Sequence, residues 1–328
     1  MTPASSFLVL GSEYNKPNIT KTFSLAQDLA AALSPGRRAG FRRKLDGNED
    51  AMGVIPLKGG QLLLMADSHF GNTAGHLAVT GFERYFRSRR GNPVRKMFSA
   101  HLALDRWIRE QKLREPRVHP GCATTLLSAF VSGKTLQYCN WGDSRLFLVR
   151  GGRLKVLNEA HEDYFLGEAF SRLDQLRRLL ELHECIDQLT KNERLDEIAF
   201  LLTVIFRQVR GGSADLATIE AAVEAIETLS GIPFSIDLDE LLREWHPLHM
   251  GIAGSLPTWG ELVLRPGDCL CMASDGIDEE VSGCSLEELE QVLGAVEVPL
   301  VERAETLLAR CMGKKGGNDN LMVLLKQV

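Results

Sequence analysis

Residues 62–71 read LLLMADSHFG, an apolar run that stops abruptly at Asp67 and His69. A short apolar run bounded by turn signals reads as a buried strand. The glycine pair Gly59 and Gly60 in front of it reads as a hairpin turn from an earlier stretch with strand character, residues 51–57. Antiparallel pairing across that turn would bring Asp50, which precedes one strand, to Asp67, which follows the other. A carboxylate and an imidazole at the rim of a core allow metal binding or acid/base chemistry. The weight of that reading depends on whether other apolar runs end the same way.

Two others do. The run at 269–273, CLCMA, leads to Asp275, and Asp319 opens the run LMVLL at 321–325. Unpaired carboxylates are costly to bury, so their repeated use at strand ends points to a shared cation. Hard divalent ions such as Mg²⁺ and Mn²⁺ favour oxygen ligands, which suits a set of Asp residues with little His or Cys. For any one Asp, a turn or helix cap is the plainer role. The ordered set Asp50, Asp67, Asp275 and Asp319 carries the case.

Elsewhere, residues 7–10 form a short apolar run and residues 24–33 have a helix-like pattern closed by Pro35 and Gly36. Residues 74–90 and 93–112 turn helical. Four runs at 126–131, 136–141, 146–149 and 154–157 read as a β-meander, interrupted by the polar turn GDSR at 142–145. Ser285 and Glu288 have capping-box spacing ahead of a helix, and residues 301–311 look helical.

The chain has 328 residues, 44% hydrophobic and 25% charged, an ordinary composition for a soluble globular protein. No apolar stretch approaches the roughly 20 residues of a membrane helix, and the N-terminus lacks the pattern of a signal peptide. The expected address is cytoplasmic, without a membrane partner. Seven scattered cysteines with no CxxC pair argue against a disulfide framework or a thiolate zinc site. With a sequence pI near 6.0 and no interleaving of aromatic and basic residues, nucleic acid is not an expected partner either.

Charge is uneven. Residues 162–245 hold 18 acidic and 8 basic residues, a net charge of −10 within a chain of −5, which leaves the rest at +5. Apolar positions in this segment recur at helical spacing, at 170–180, 195–209 and 216–229, so it reads as an inserted helical subdomain, with 1–161 and 246–328 forming the main domain.

The ordered motifs resemble those of the metal-dependent Ser/Thr protein phosphatases of the protein phosphatase 2C type. They are NED at 48–50, DSHFG at 67–71, GCATT at 121–125, GDSR at 142–145, ASDG at 273–276 and DN at 319–320. GDSR and ASDG are the specific ones; the others persuade by their order. The resemblance implies an α+β fold, a four-layer α-β-β-α sandwich of two antiparallel sheets with flanking helices, and a centre holding two Mg²⁺ or Mn²⁺ ions with a third, weaker position. It makes Asp50, Asp67, Asp275 and Asp319 metal ligands, Asp67 bridging, together with the backbone carbonyl of Ser68, and gives Asp143 to the third position. His69 becomes the general acid toward the leaving alkoxide of a phosphoserine or phosphothreonine protein, with direct attack by a bridging hydroxide. An imidazole titrates in the range this needs; a structural hydrogen bonder is the lesser alternative for His69.

The chain departs from the family pattern in three places. Ser68 stands where the family usually has Gly, and Phe70 where a small residue is common. Leu45 occupies the expected place of the phosphate-binding Arg, so Arg43 is the nearest candidate. The acidic helical segment stands where the family has a variable flap, and implies substrate or partner selection. Two classes stay open, an active phosphatase and a catalytically silent relative that acts as a regulatory or binding module.

Overall fold

The computed structural model describes residues 6–36, 48–158, 188–210, 215–230, 256–277, 279–313 and 319–328. The chain divides into two compact units, residues 1–169 with 259–328, and residues 170–258.

The first unit is an α+β sandwich of two six-stranded antiparallel sheets. One sheet contains β1 (Phe7–Leu10), β4 (Ala51–Leu57), β5 (Gly60–Ala66), β8 (Leu126–Ser132), β9 (Thr135–Trp141) and β12 (Thr258–Val263), side by side in that order. The other is ordered β11 (Arg153–Val156), β10 (Arg145–Arg150), β13 (Cys269–Ala273), β14 (Leu321–Gln327), β3 (Leu29–Ser34) and β2 (Lys21–Ala26). A two-residue pair, β6 (Ser68–His69) with β7 (Ala123–Thr124), lies apart from both.

The period of two along these strands divides the side chains between layers. Met52, Val54, Leu63, Met65 and Leu127 of the first sheet share one buried cluster with Leu29, Ala31, Leu33, Leu148, Met272 and Leu324 of the second. The alternate residues Ala30, Ala32, Phe147, Cys271, Val323 and Leu325 pack with Leu289, Leu293, Leu307 and Leu308. Those leucines belong to the outer helices Leu286–Leu293 and Leu300–Gly313. The first of these two helices begins at a formed capping box between Ser285 and Glu288. On the other side α1 (Thr73–Ser88) and α2 (Pro93–Arg114) cover the first sheet, with Phe86 of α1 and Phe130 of β8 at a ring separation of 6.1 Å. The sandwich therefore has four layers.

Two sequence expectations fail here. Residues 24–33 are not helical: they form the hairpin of β2 and β3, turning at Gln27 and Asp28. Every residue of β3 is buried, because the strand runs between β14 and β2 and is covered on both faces. An alanine-rich run buried all round carries no strand alternation, so its helical propensity is overridden by tertiary packing. The meander also breaks. β8 and β9 pair in one sheet while β10 and β11 pair in the other, so the GDSR turn carries the chain across the sandwich.

In the second unit the helices Gln188–Arg210 and Leu216–Ser230 pack together. Leu195, Ile198, Leu202 and Ile205 of one, and Ile219 and Ile226 of the other, are buried. The expected helix at 170–180 lies outside the described residues. Among the described residues, no helix is long and apolar enough to cross a membrane.

Candidate metal centre

Strand register assembles the site. Ala51 pairs with Ala66, so Asp50, one residue before, and Asp67, one residue after, leave the β4–β5 hairpin at the same end. In the second sheet Ala273 pairs with both Arg145 and Val323. Asp275 lies two residues beyond Ala273, Asp143 two before Arg145 and Asp319 two before Leu321, so all three emerge at one end of that sheet. The two ends meet. Asp67 is close enough to Asp50, Asp143 and Asp319 to feel their charge, and it shares a side-chain hydrogen bond with Asp275.

The electrostatics follow. Burial pushes the Asp67 carboxyl well above the usual carboxylate range, and repulsion from Asp50, Asp143 and Asp319 adds to it. Burial does the same to Asp275, followed by repulsion from Asp67 and Asp319. Carboxyls crowded together in this way repel one another, and a divalent cation among them would relieve that repulsion.

The donor set fits such a cation: several hard oxygen ligands, buried or half-buried, from both sheets. Among the described residues, no group of three or more His, Cys, Asp or Glu side chains is drawn together tightly enough to form a finished cage.

A buried hydrogen-bond frame holds these aspartates in place. Thr125 donates its N–H to the carbonyl of Asp67 (2.8 Å), and its Oγ1 accepts from the Asp67 N–H (2.9 Å). Thr124 Oγ1 also donates to the Asp67 carbonyl (2.9 Å). The Thr125 and Ser144 hydroxyls, 2.7 Å apart, tie this hairpin to the GDSR turn. Ser274 and Met322 exchange two bonds beside Asp275, at 3.1 and 3.0 Å. Asn320 Oδ1 accepts from the Glu49 N–H (3.0 Å), its Nδ2 donates to Pro35 (3.2 Å), and its own N–H reaches Asp319 Oδ1 (2.8 Å). Thr124, Thr125, Ser144, Ser274, Glu49 and Asn320 all lie within or beside the motifs, yet no role was assigned to them from sequence. Their sequence signal was their place inside the motifs themselves.

Two neighbours of Asp67 differ from expectation. Ser68, which stands where the resemblance expects a glycine, lies in β6 opposite Thr124 and does not have the left-handed backbone that favours glycine. Its Oγ accepts from the Gly75 N–H (3.0 Å) at the start of α1 and lies 3.2 Å from Thr124 Oγ1. The left-handed residue is Phe70, at φ 59°. His69, half-buried, pairs with Ala123 across the β6–β7 ladder, one residue on from Ser68. Arg43 lies outside the described residues. Of the seven cysteines, Cys122, Cys139, Cys269, Cys271, Cys284 and Cys311 are buried with free thiols, and burial raises the thiols of Cys139, Cys269 and Cys271, which suits core packing and not nucleophilic attack.

No family model matches the chain. Protein phosphatase PhpP of Streptococcus pneumoniae D39 is 24% identical over 291 residues, which cover 86% of this chain and 92% of PhpP. The Mycobacterium tuberculosis serine/threonine phosphatase PstP/Ppp superposes with a TM-score of 0.52 at 21% identity, covering 92% of this chain and 97% of that one. The PstP catalytic domain in complex with two manganese ions gives 0.53 at 20% identity, covering 94% and 99%. An α-β-β-α sandwich with carboxylates gathered at one end is the fold of the protein phosphatase 2C class. The chain shares that fold, and it is similar to the phosphatase PhpP along most of its length.

Proposed function

We propose that the protein is a metal-dependent phosphoprotein phosphatase acting on phosphoserine and phosphothreonine. The observation that carries this reading is the convergence of Asp67 and Asp275 with Asp50, Asp143 and Asp319. Bound Mg²⁺ or Mn²⁺ supplies a water acidic enough to act as nucleophile at neutral pH and neutralises phosphate charge.

The chain's own residues do the rest. Asp50, Asp67, Asp275 and Asp319, with the Ser68 carbonyl, hold the two central ions, and Asp143 serves a weaker third position. Thr124 and Thr125 fix the Asp67 main chain, so the ligand that joins the two sheets does not swing. His69, next to Ser68 on the same short strand, delivers a proton to the leaving serine or threonine oxygen, a poor leaving group without one. Arg43, from the basic stretch before Asn48, binds phosphate. No thiol is called on.

Residues 162–245, with their net charge of −10, act in our reading as a selector of substrates or protein partners by charge. Removing residues 163–244 should change turnover of a phosphoprotein and of a small phosphoester unequally; equal effects on both would sink that role.

For the phosphatase reading itself, we expect the full chain to hydrolyse a phosphothreonine peptide with Mn²⁺, to stop in chelator, and to lose at least about 100-fold in Asp275→Asn. Ser68 gives no support to the silent-module alternative, since its backbone is relaxed and its hydroxyl is hydrogen bonded. A folded chain that cleaves no phosphoester with Mn²⁺ would establish that alternative.

A further inference from the structure

Phe70 combines three properties that fold stability does not require together. Its backbone is left-handed, at φ 59°, which is uncommon for a residue with a side chain and rarer for a bulky one. The residue is 50% exposed. It also follows His69 directly, three residues after Asp67.

The surroundings lock it there. The Gly71 N–H donates to Glu49 Oε1 (3.0 Å) and the Gly71 carbonyl accepts from Cys122 Sγ (3.3 Å), so the chain just past Phe70 is clamped on both sides. On its other side, His69 is paired in the β6–β7 ladder. A backbone conformation that costs energy persists only where neighbours over-determine it in this way.

The ring has a backing. It stacks on the exposed His119, with centroids 5.0 Å apart and planes at 16°. His119 is set by the Gly121 N–H, which donates to its Nδ1 (3.0 Å). A Cβ on Gly121 would lie 3.4 Å from the Phe70 ring and 3.2 Å from His119 Nδ1, so the glycine leaves room at the edge of the stack. One face of Phe70 is covered by an imidazole, and the rest is offered to solvent beside the proposed proton donor.

We infer that Phe70, backed by His119, is a shelf on which the phosphatase docks a large apolar side chain flanking the phosphorylated residue of its protein substrate. The inference rests on the phosphatase reading and narrows its substrate class. The area on offer is that of one ring, which suits a single side chain, whereas partner and membrane surfaces are contiguous patches of several hundred Å².

The test uses the full chain with Mn²⁺ and two phosphothreonine peptides that differ only in Leu or Gly on either side of the phosphothreonine, with a small aryl phosphate alongside. Wild type should favour the Leu peptide by about tenfold in kcat/KM, from one side chain moved out of water, with most of the difference in KM. Phe70→Gly should erase that preference while Tm rises, because glycine adopts a positive φ freely. Phe70→Trp should keep the preference, and His119→Ala should weaken it. A wild type that shows no preference, or a Phe70→Gly variant that keeps it, overturns the inference. So does a Phe70→Gly variant that loses Tm and slows all three substrates alike, since that outcome marks Phe70 as structural. A wild type that cleaves none of the three with Mn²⁺ removes the phosphatase reading, and this inference with it.

Discussion

Ser68 and Gly75 occupy one space between them. The Ser68 Oγ takes a hydrogen bond from the Gly75 N–H at 3.0 Å, and a Cβ built on Gly75 would collide with that oxygen. The hydroxyl that replaces the family's usual glycine is thus accommodated by a glycine in the first turns of α1, and it helps hold the helix against the strand that follows Asp67. Gly75→Ala should therefore destabilise the chain by about 1–3 kcal/mol through overpacking, although alanine is normally worth about 1 kcal/mol over glycine in a helix. In a Ser68→Gly background that cost should vanish or change sign. Denaturant titration of the four variants measures the coupling, and independent, additive effects would contradict the relationship.

His101 gives a pH signature away from the metal site. It is fully buried in α2, its Nε2 lies 2.9 Å from Ser128 Oγ, and burial lowers its pKa from 6.5 to about 3. Between those two values the unfolded chain takes up a proton that the folded chain refuses, so this group's contribution is whole above pH 6.5 and declines as pH falls. The expected slope is roughly 1.4 kcal/mol per pH unit. His101→Gln should lower stability at pH 7 and flatten the acid limb of the stability curve. An unchanged slope between wild type and variant would show that His101 titrates normally.

Asn320 links the two halves of the site by bonding to both Glu49 and Pro35 while sitting next to Asp319. Asn320→Ala removes the acceptor of the buried Glu49 N–H, at a cost of about 2 kcal/mol. Because Glu49 and Asn320 adjoin the proposed ligands Asp50 and Asp319, Mn²⁺ affinity should drop roughly 10- to 100-fold, the usual effect of losing an outer-shell partner. Thermal denaturation and metal titration of one sample report both, and a variant that loses stability but keeps affinity would limit Asn320 to the fold.

Much of this was legible in sequence because local and long-range signals agreed. The hairpin expected at Gly59 and Gly60 forms one residue earlier, turning at Lys58 and Gly59 with Gly60 opening β5, and its register places Asp50 beside Asp67. Asp275 and Asp319 were grouped with them by their place at the ends of apolar runs and by the order of the motifs, since nothing local says that β13 and β14 are neighbours. The failures have physical causes. Residues 24–33 carry alanines that suit a helix, and only burial on both faces of a central strand makes β3 of them. The GDSR turn looks like a hairpin because its tetrapeptide does not record which sheet each flanking strand joins. Ser68 stands where the family usually has a glycine, and the room for its hydroxyl comes from Gly75, a contact no linear reading displays. The stacking of His119 on Phe70 joins residues 49 positions apart and had no sequence signal at all.

The central claim is that carboxylates from two sheets form one divalent-cation site. Calorimetric titration of the full chain with Mn²⁺ tests it most directly, with Asp67→Asn as the comparison. We expect two strong sites in wild type, a higher Tm with the metal bound, and loss of both sites in Asp67→Asn, since that residue faces Asp50, Asp143, Asp275 and Asp319. A wild type that binds no Mn²⁺ above background, or an Asp67→Asn variant that binds it equally well, would contradict the account.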